Sequence, residues 1–151
     1  MTNVGAAELP ADSLLSDRRC AGDFLDCYVT SADMSPRAAA EIITAFPPWV
    51  APLLLVRRII TAPFGLSNDG PDARDKLGIF PVDRETDREL IVGFDDKHLD
   101  FRVSVLSEAG RVYLATWVKP HNIGGRIYLR TIMPFHILIA RNALARVAAA
   151  S

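Results

Sequence analysis

The chain has 151 residues, 50% of them hydrophobic, with a mean hydropathy of +0.16 and a formal net charge of −1. That length suits one domain spanning residues 1–151, and the near-neutral charge sets up no overall field to recruit nucleic acid or an anionic membrane. Cys20 and Cys27 are too few and too close for a disulfide framework, MTNVGAAELPADSLL lacks the pattern of a signal peptide, and the longest apolar runs, such as Val50–Val56, fall short of the ~20 residues of a membrane span, so a cytoplasmic protein with no membrane span is expected.

Residues 1–20 read as an irregular lead-in. Phe24–Thr30 (FLDCYVT) alternates β-branched and aromatic residues and predicts a strand. Ser35-Pro36 predicts a helix start, with Ser35 as N-cap and Pro36 in the first turn; the helix runs to Phe46 and stops at Pro47-Pro48. A second helix is expected over Trp49–Thr61, where Trp49, Leu53, Val56 and Ile60 recur at helical spacing. Asn68–Lys76 is a polar loop. Four strand-like runs follow, Leu77–Val82, Glu89–Phe94, Leu99–Leu106 and Arg111–Val118, separated by turn residues as in an antiparallel meander. In the third run Leu99, Phe101, Val103 and Val105 share a face expected to be buried, and His98, Asp100, Arg102 and Ser104 share one expected to be polar. Asn122–Ala149 predicts a long helix, with a kink or break near Arg130–Met133 because Pro134 interrupts it.

Charge is unevenly spread along this order. From Ala109 to Ser151 there are six basic residues (Arg111, Lys119, Arg126, Arg130, Arg141, Arg146) and no acidic ones. The pattern predicts an α+β fold: a curved antiparallel sheet packed on a long kinked C-terminal helix, with two shorter helices after the first strand. This is a helix-grip, or START-like, arrangement, and it often leaves an apolar cavity between sheet and helix.

Three segments carry a family resemblance: PPWVAPLLLVRRIITAPFGL at 47–66, DDKHLDFRVSV at 95–105 and PHNIGGRIYLRTIMPFH at 120–136. With ELPADSLL at 8–15 they make the chain resemble the bacterial domain-of-unknown-function family 2867 over nearly its full length. The resemblance implies the helix-grip fold, and a partner such as a dinucleotide-binding reductase, to which this family is joined in some proteins. It implies no catalytic residues. The chain itself has no Gly-x-Gly-x-x-Gly segment, so no dinucleotide cofactor is expected.

Several residues are candidates for chemistry, each with a plainer alternative. Asp95, Asp96, His98, Asp100 and Arg102 place three carboxylates, an imidazole and a guanidinium near one hairpin. Asp100 would orient His98 as a general base and pair with Arg102; the plainer reading is a wet hairpin face, and a third is a subunit contact. His121, Asn122 and Arg126, with Gly124-Gly125, would bind an anion at the start of the last helix; alternatively Asn122 only caps that helix. His136 would face a cavity as a catalytic or orienting group, or sit as a core histidine bonded to a backbone carbonyl or to Tyr113, Tyr128 or Tyr28. Trp49 and Phe64 at the cavity mouth and Trp117, Tyr113 and Tyr128 within it are the expected ligand contacts, with core packing the default for each. Arg57-Arg58 would bind phosphate or simply face water. The histidines at 98, 121 and 136 lack the spacing of a helical metal site, so no metal is expected.

Three functions remain open at this point. The leading one is a binding domain for a small apolar or amphipathic ligand held between sheet and C-terminal helix. The second is an enzyme doing proton-transfer chemistry there, with His136, or His98 with Asp100, as base. The third is an accessory module for a partner protein, with a homodimer as the default assembly.

Overall fold

The computed structural model describes residues 4–18, 20, 23–45, 47–52, 76, 77, 80–95 and 99–151. Residues 68–75 of the expected Asn68–Lys76 loop, 53–61 of the expected Trp49–Thr61 helix, and Phe64, Asp96 and His98 lie outside these residues; Pro48–Val50 forms a 3-10 turn, Ala51 and Pro52 are helical, and Lys76 belongs to a strand rather than the loop.

The sheet is antiparallel throughout. Its strands are β1 (Gly5–Ala6), β2 (Phe24–Ser31), β3 (Lys76–Leu77), β4 (Phe80–Glu85), β5 (Glu89–Asp95), β6 (Leu99–Glu108) and β7 (Arg111–Pro120), in the order β1-β2-β7-β6-β5-β4-β3. The meander is the one the turn residues predict, shifted in its first member: β4 begins at Phe80 rather than Leu77, and its register to β5 slips between Val82 and Arg84. The slip leaves Asp83 unpaired with a residue of β5, as an extra residue in a bulge does. Ala109 (φ 52) and Gly110 (φ 74) join β6 to β7 with positive φ at both turn positions, the twist that suits a two-residue hairpin.

Two α-helices are described. α1 (Pro36–Thr44) starts as expected: Ser35 Oγ accepts from the Ala38 amide at 3.2 Å, and Pro36 occupies the first turn. α2 (Ile123–Ala150) packs across one face of the sheet, against β2 and β7. Asn122 Oδ1 caps it by accepting from the Gly125 amide at 3.0 Å. Of the kink or break expected near Arg130–Met133, a break does not occur: the helix continues through Pro134. Proline removes one amide and frees the carbonyl four residues back. Here Arg130 and Pro134 are both exposed, so water can take that carbonyl.

Between sheet and helices lies the main core, built on Leu90, Val105, Val112, Ala143, Leu144 and Val147. Arg146 ties the helices together. Its guanidinium donates to the carbonyls of Ile42 (2.6 Å), Ala45 (2.8 Å) and Ile43 (3.4 Å) at the end of α1, where carbonyls lack helical partners. Partial burial holds its pKa below the usual arginine value.

The opposite face of the sheet corrects the sequence reading twice. The face of β6 expected to be wet is covered, with Arg102 5% and Ser104 1% exposed. The segment expected to be an idle lead-in covers it: a 3-10 turn, Leu14–Asp17, seats Leu15 against Cys27, Ile91, Ala115 and Trp117. Glu89 anchors that turn. Its Oε1 accepts from the Leu14 amide at 2.8 Å, and its Oε2 accepts from Ser13 Oγ at 2.6 Å and from Ser104 Oγ. A buried carboxylate with three donors is compensated for its lost hydration, so the strip stays closed.

Candidate functional site: a cationic groove beside a histidine–aspartate pair

β2 begins and β7 ends at the same edge of the molecule, because they pair antiparallel with Phe24 opposite Val118. The first turns of α2 pass over that end. Between them lies an open groove of about 730 Å3, lined by Asp23, Phe24, Lys119, Pro120, Ile123, Arg126, Ile127, Leu129 and Arg130. Phe24, Pro120, Ile123, Ile127 and Leu129 make an apolar wall, and Lys119, Arg126 and Arg130 bring three positive charges to it. None of the three forms an ion pair with a carboxylate among the described residues. The one acid of the lining, Asp23, is committed elsewhere: its Oδ2 accepts from Trp117 Nε1 at 2.9 Å and from the Cys20 amide at 3.1 Å. The positive end of α2's peptide dipoles adds to the field.

Next to the groove, His136 of α2 meets Asp26 of β2, with Nε2 2.9 Å from Oδ2. Phe24 belongs to both places. It lines the groove and sets its ring edge-on to His136, centroids 6.2 Å apart. Asp26 Oδ1 is buried and has no hydrogen-bond partner, one of two such side-chain oxygens among the described residues, with Ser107 Oγ. A bare carboxylate oxygen in the interior costs free energy unless something bonds to it. The negative charge of Asp26 is felt by its neighbours: the Cys27 thiol is pushed up to about 12, mainly by burial and then by Asp26. Tyr28 is also raised, by burial and Asp26 against the lowering influence of Arg141. A thiol held that high is no nucleophile near neutral pH.

The residues singled out from sequence are dispersed by the fold. Arg126 lines the groove, but Asn122 is occupied as the cap of α2, and His121 Nε2 lies 2.8 Å from Asp100 Oδ1 at the outer rim. Asp100 therefore serves His121. The expected pairing of Asp100 with Arg102 does not form: Arg102 bonds Asp83 at 3.1 Å and Asp95 at 3.0 Å instead. Trp117 and Tyr113 lie on the far face, packed around Leu15. Tyr128 is buried with Leu99 and Val118, and Trp49 sits on the exposed 3-10 turn. His136 is bonded to an aspartate and not to a tyrosine.

Sequence reasoning missed Asp26, Lys119 and Arg130 as members of one region. Asp26 had a local signal: it is the acid among Phe24, Tyr28 and Thr30, the alternate positions of β2 that face α2. Its partner is 110 residues away.

A family model described as "Protein of unknown function (DUF2867)" matches residues 21–143. The chain belongs to this family. The match spans the groove, Asp26 and His136, while the N-terminal strip that covers the far face precedes it. No curated protein and no solved structure matches the chain.

Proposed function

We propose that this protein binds a small amphipathic anion in the groove between the end of the sheet and the first turns of α2, on a scaffold of helix-grip type. The observation that carries the reading is the lining itself: three cations without a carboxylate partner among the described residues, set against five apolar side chains. Three cations face one acid, Asp23, in the lining, so the groove carries an excess of positive charge that an anion would neutralise. The apolar wall would bury the ligand's hydrocarbon part at ~25 cal/mol per Å2. Sequence reasoning favoured an apolar or amphipathic ligand deep between sheet and helix; the groove moves that site to the rim and adds the charge.

The test is calorimetric titration of the full chain with decyl phosphate, inorganic phosphate and decanol. Decyl phosphate is expected to bind well, and each half-ligand at least about tenfold more weakly, since each lacks one of the two matched surfaces. Arg126→Gln with Arg130→Gln should weaken decyl phosphate by about tenfold or more. Equal affinity in the double variant would remove the reading.

A second reading, proton-transfer chemistry at the groove's edge, is favoured by the His136–Asp26 pair. With Nε2–H donated to Asp26, Nδ1 carries the lone pair and can accept a proton, the usual division of labour of a base and its orienting acid. Incubation of a bound anion in D2O tests it. Deuterium incorporated at carbon by the protein but not by His136→Gln supports the base; no incorporation by the unaltered protein discards it.

A further inference from the structure

α2 has two apolar faces, and the sheet uses one of them. On the inner face Ala143, Leu144 and Val147 are 1% exposed or less. On the outer face Ile123, Ile127, Phe135 and Leu138 stand in solvent at 72%, 51%, 45% and 54% exposure. Ile127, Thr131, Phe135 and Leu138 follow one another at three- and four-residue steps, so they form a continuous strip along the helix. A strip of this kind on a soluble domain marks a contact surface. Arg126 and Arg130 flank its first half and, with Lys119, reach into the groove.

We infer that this outer face docks on an anionic lipid bilayer, the apolar strip entering the interfacial region and the groove cations taking a phosphate headgroup. The inference rests on the groove reading and names the source of its ligand. Charge decides among occupants. Arg141 and Arg146 are turned toward Tyr28 and α1, but Arg126 and Arg130 flank the strip and α2 has no acidic residue, so a second α2 laid parallel to the first would set these arginines facing their own copies. An anionic surface meets the same row with opposite charge, and juxtaposed basic residues add binding within a Debye length of it. Nucleic acid would match the arginines but leave the apolar strip wet.

The helix lies on such a surface and does not cross it. By length and composition α2 is apolar enough to span a membrane. Its inner face, however, is the core of the domain, and pulling Leu144 and Val147 from the sheet would dissolve that core. A helix with one face committed to its own protein and the other apolar with basic flanks has the character of an interfacial helix.

The full chain is sedimented with vesicles of phosphatidylcholine alone, and with vesicles of equal parts phosphatidylcholine and phosphatidylglycerol, at low and high salt. It is expected to pellet with the anionic vesicles, less so at high salt, and to stay in solution with the neutral ones. Phe135→Gln with Leu138→Gln should cut vesicle binding by about tenfold or more, because both side chains leave the acyl boundary. The same variant should keep its affinity for decyl phosphate, since neither residue lines the groove. If the unaltered chain ignores vesicles but binds decyl phosphate, docking is overturned and the groove reading stands. If it binds neither, both fall. Vesicle binding that survives the double substitution overturns the docking face. So does a dimer, seen by equilibrium sedimentation, that the double substitution dissociates, since a second copy would then cover the strip.

Discussion

The two faces of the sheet treat their carboxylates in opposite ways. On the face under the N-terminal strip, Glu89 is 3% exposed and both of its oxygens are occupied, by one amide and two hydroxyls. On the face under α2, Asp26 has one oxygen on His136 and the other on nothing. A few residues from Asp26, three cations share a groove without a carboxylate partner among the described residues. Saturated bonding closes a surface and stabilises it; spare bonding capacity, held in place by a core that tolerates its cost, is what a ligand can use. The contrast separates scaffold from site in a protein whose family name carries no chemistry.

Substitutions can break that contrast, beginning with the largest effect. Gly93→Ala should destabilise by about 3 kcal/mol or prevent folding. Gly93 lies on the saturated face with φ +135, and a Cβ there would sit 2.3 Å from the Phe101 carbonyl oxygen, which is backbone and cannot swing away. Urea unfolding measures the loss. Glu89→Gln should cost about 2–3 kcal/mol in the same assay, because an amide NH2 replaces an acceptor among three donors. The matched change, Asp26→Asn, should cost about 1 kcal/mol or less. The amide can keep its oxygen toward His136 and turn its NH2 to the empty side. Equal losses for the two isosteric changes would erase the distinction between the faces.

Smaller effects sharpen it. Arg126→Gln with Arg130→Gln should leave stability within about 0.5 kcal/mol, since both side chains are exposed, while ligand affinity falls. A large loss of stability would make those arginines part of the scaffold. Thiol titration gives the finest reading. Cys20 is exposed and Cys27 buried, with its pKa pushed up to about 12, so near pH 8 only Cys20 should react in the native chain and both after denaturation. Fast reaction of Cys27 would mean that the N-terminal strip opens readily.

Local order was legible in the residues. Ser35 and Pro36 start α1, Asn122 caps α2, and the turn signals place β5, β6 and β7 to within two residues. These are short-range effects, decided by capping, turn conformation and side-chain alternation. The alternation of β6 also showed which residues share a face, but not what covers that face. Asp100, Arg102 and Ser104 look like wet residues until Leu15, some ninety positions earlier, packs above their sheet. Polar side chains in alternation mean only that they point together; burial depends on whether a distant segment supplies partners.

The candidate site was legible in part for the same reason. Arg126 and His136 stand out in the chain by type and by helix position. Their significance depends on partners that tertiary structure alone assigns. Asp26 joins His136 because β2 pairs with β7 and α2 crosses over both. Lys119 and Arg130 flank one groove because the last strand ends where the long helix begins. Sequence by itself determined β2, β5, β6, β7 and the two described α-helices, their order and the excess of positive charge after Ala109, since each is a property of neighbours along the chain. Which of those cations would be answered by backbone carbonyls, as Arg141 and Arg146 are, and which would line a groove was decided only by the packing, because Coulomb attraction and hydrogen bonding act over a few ångströms of space.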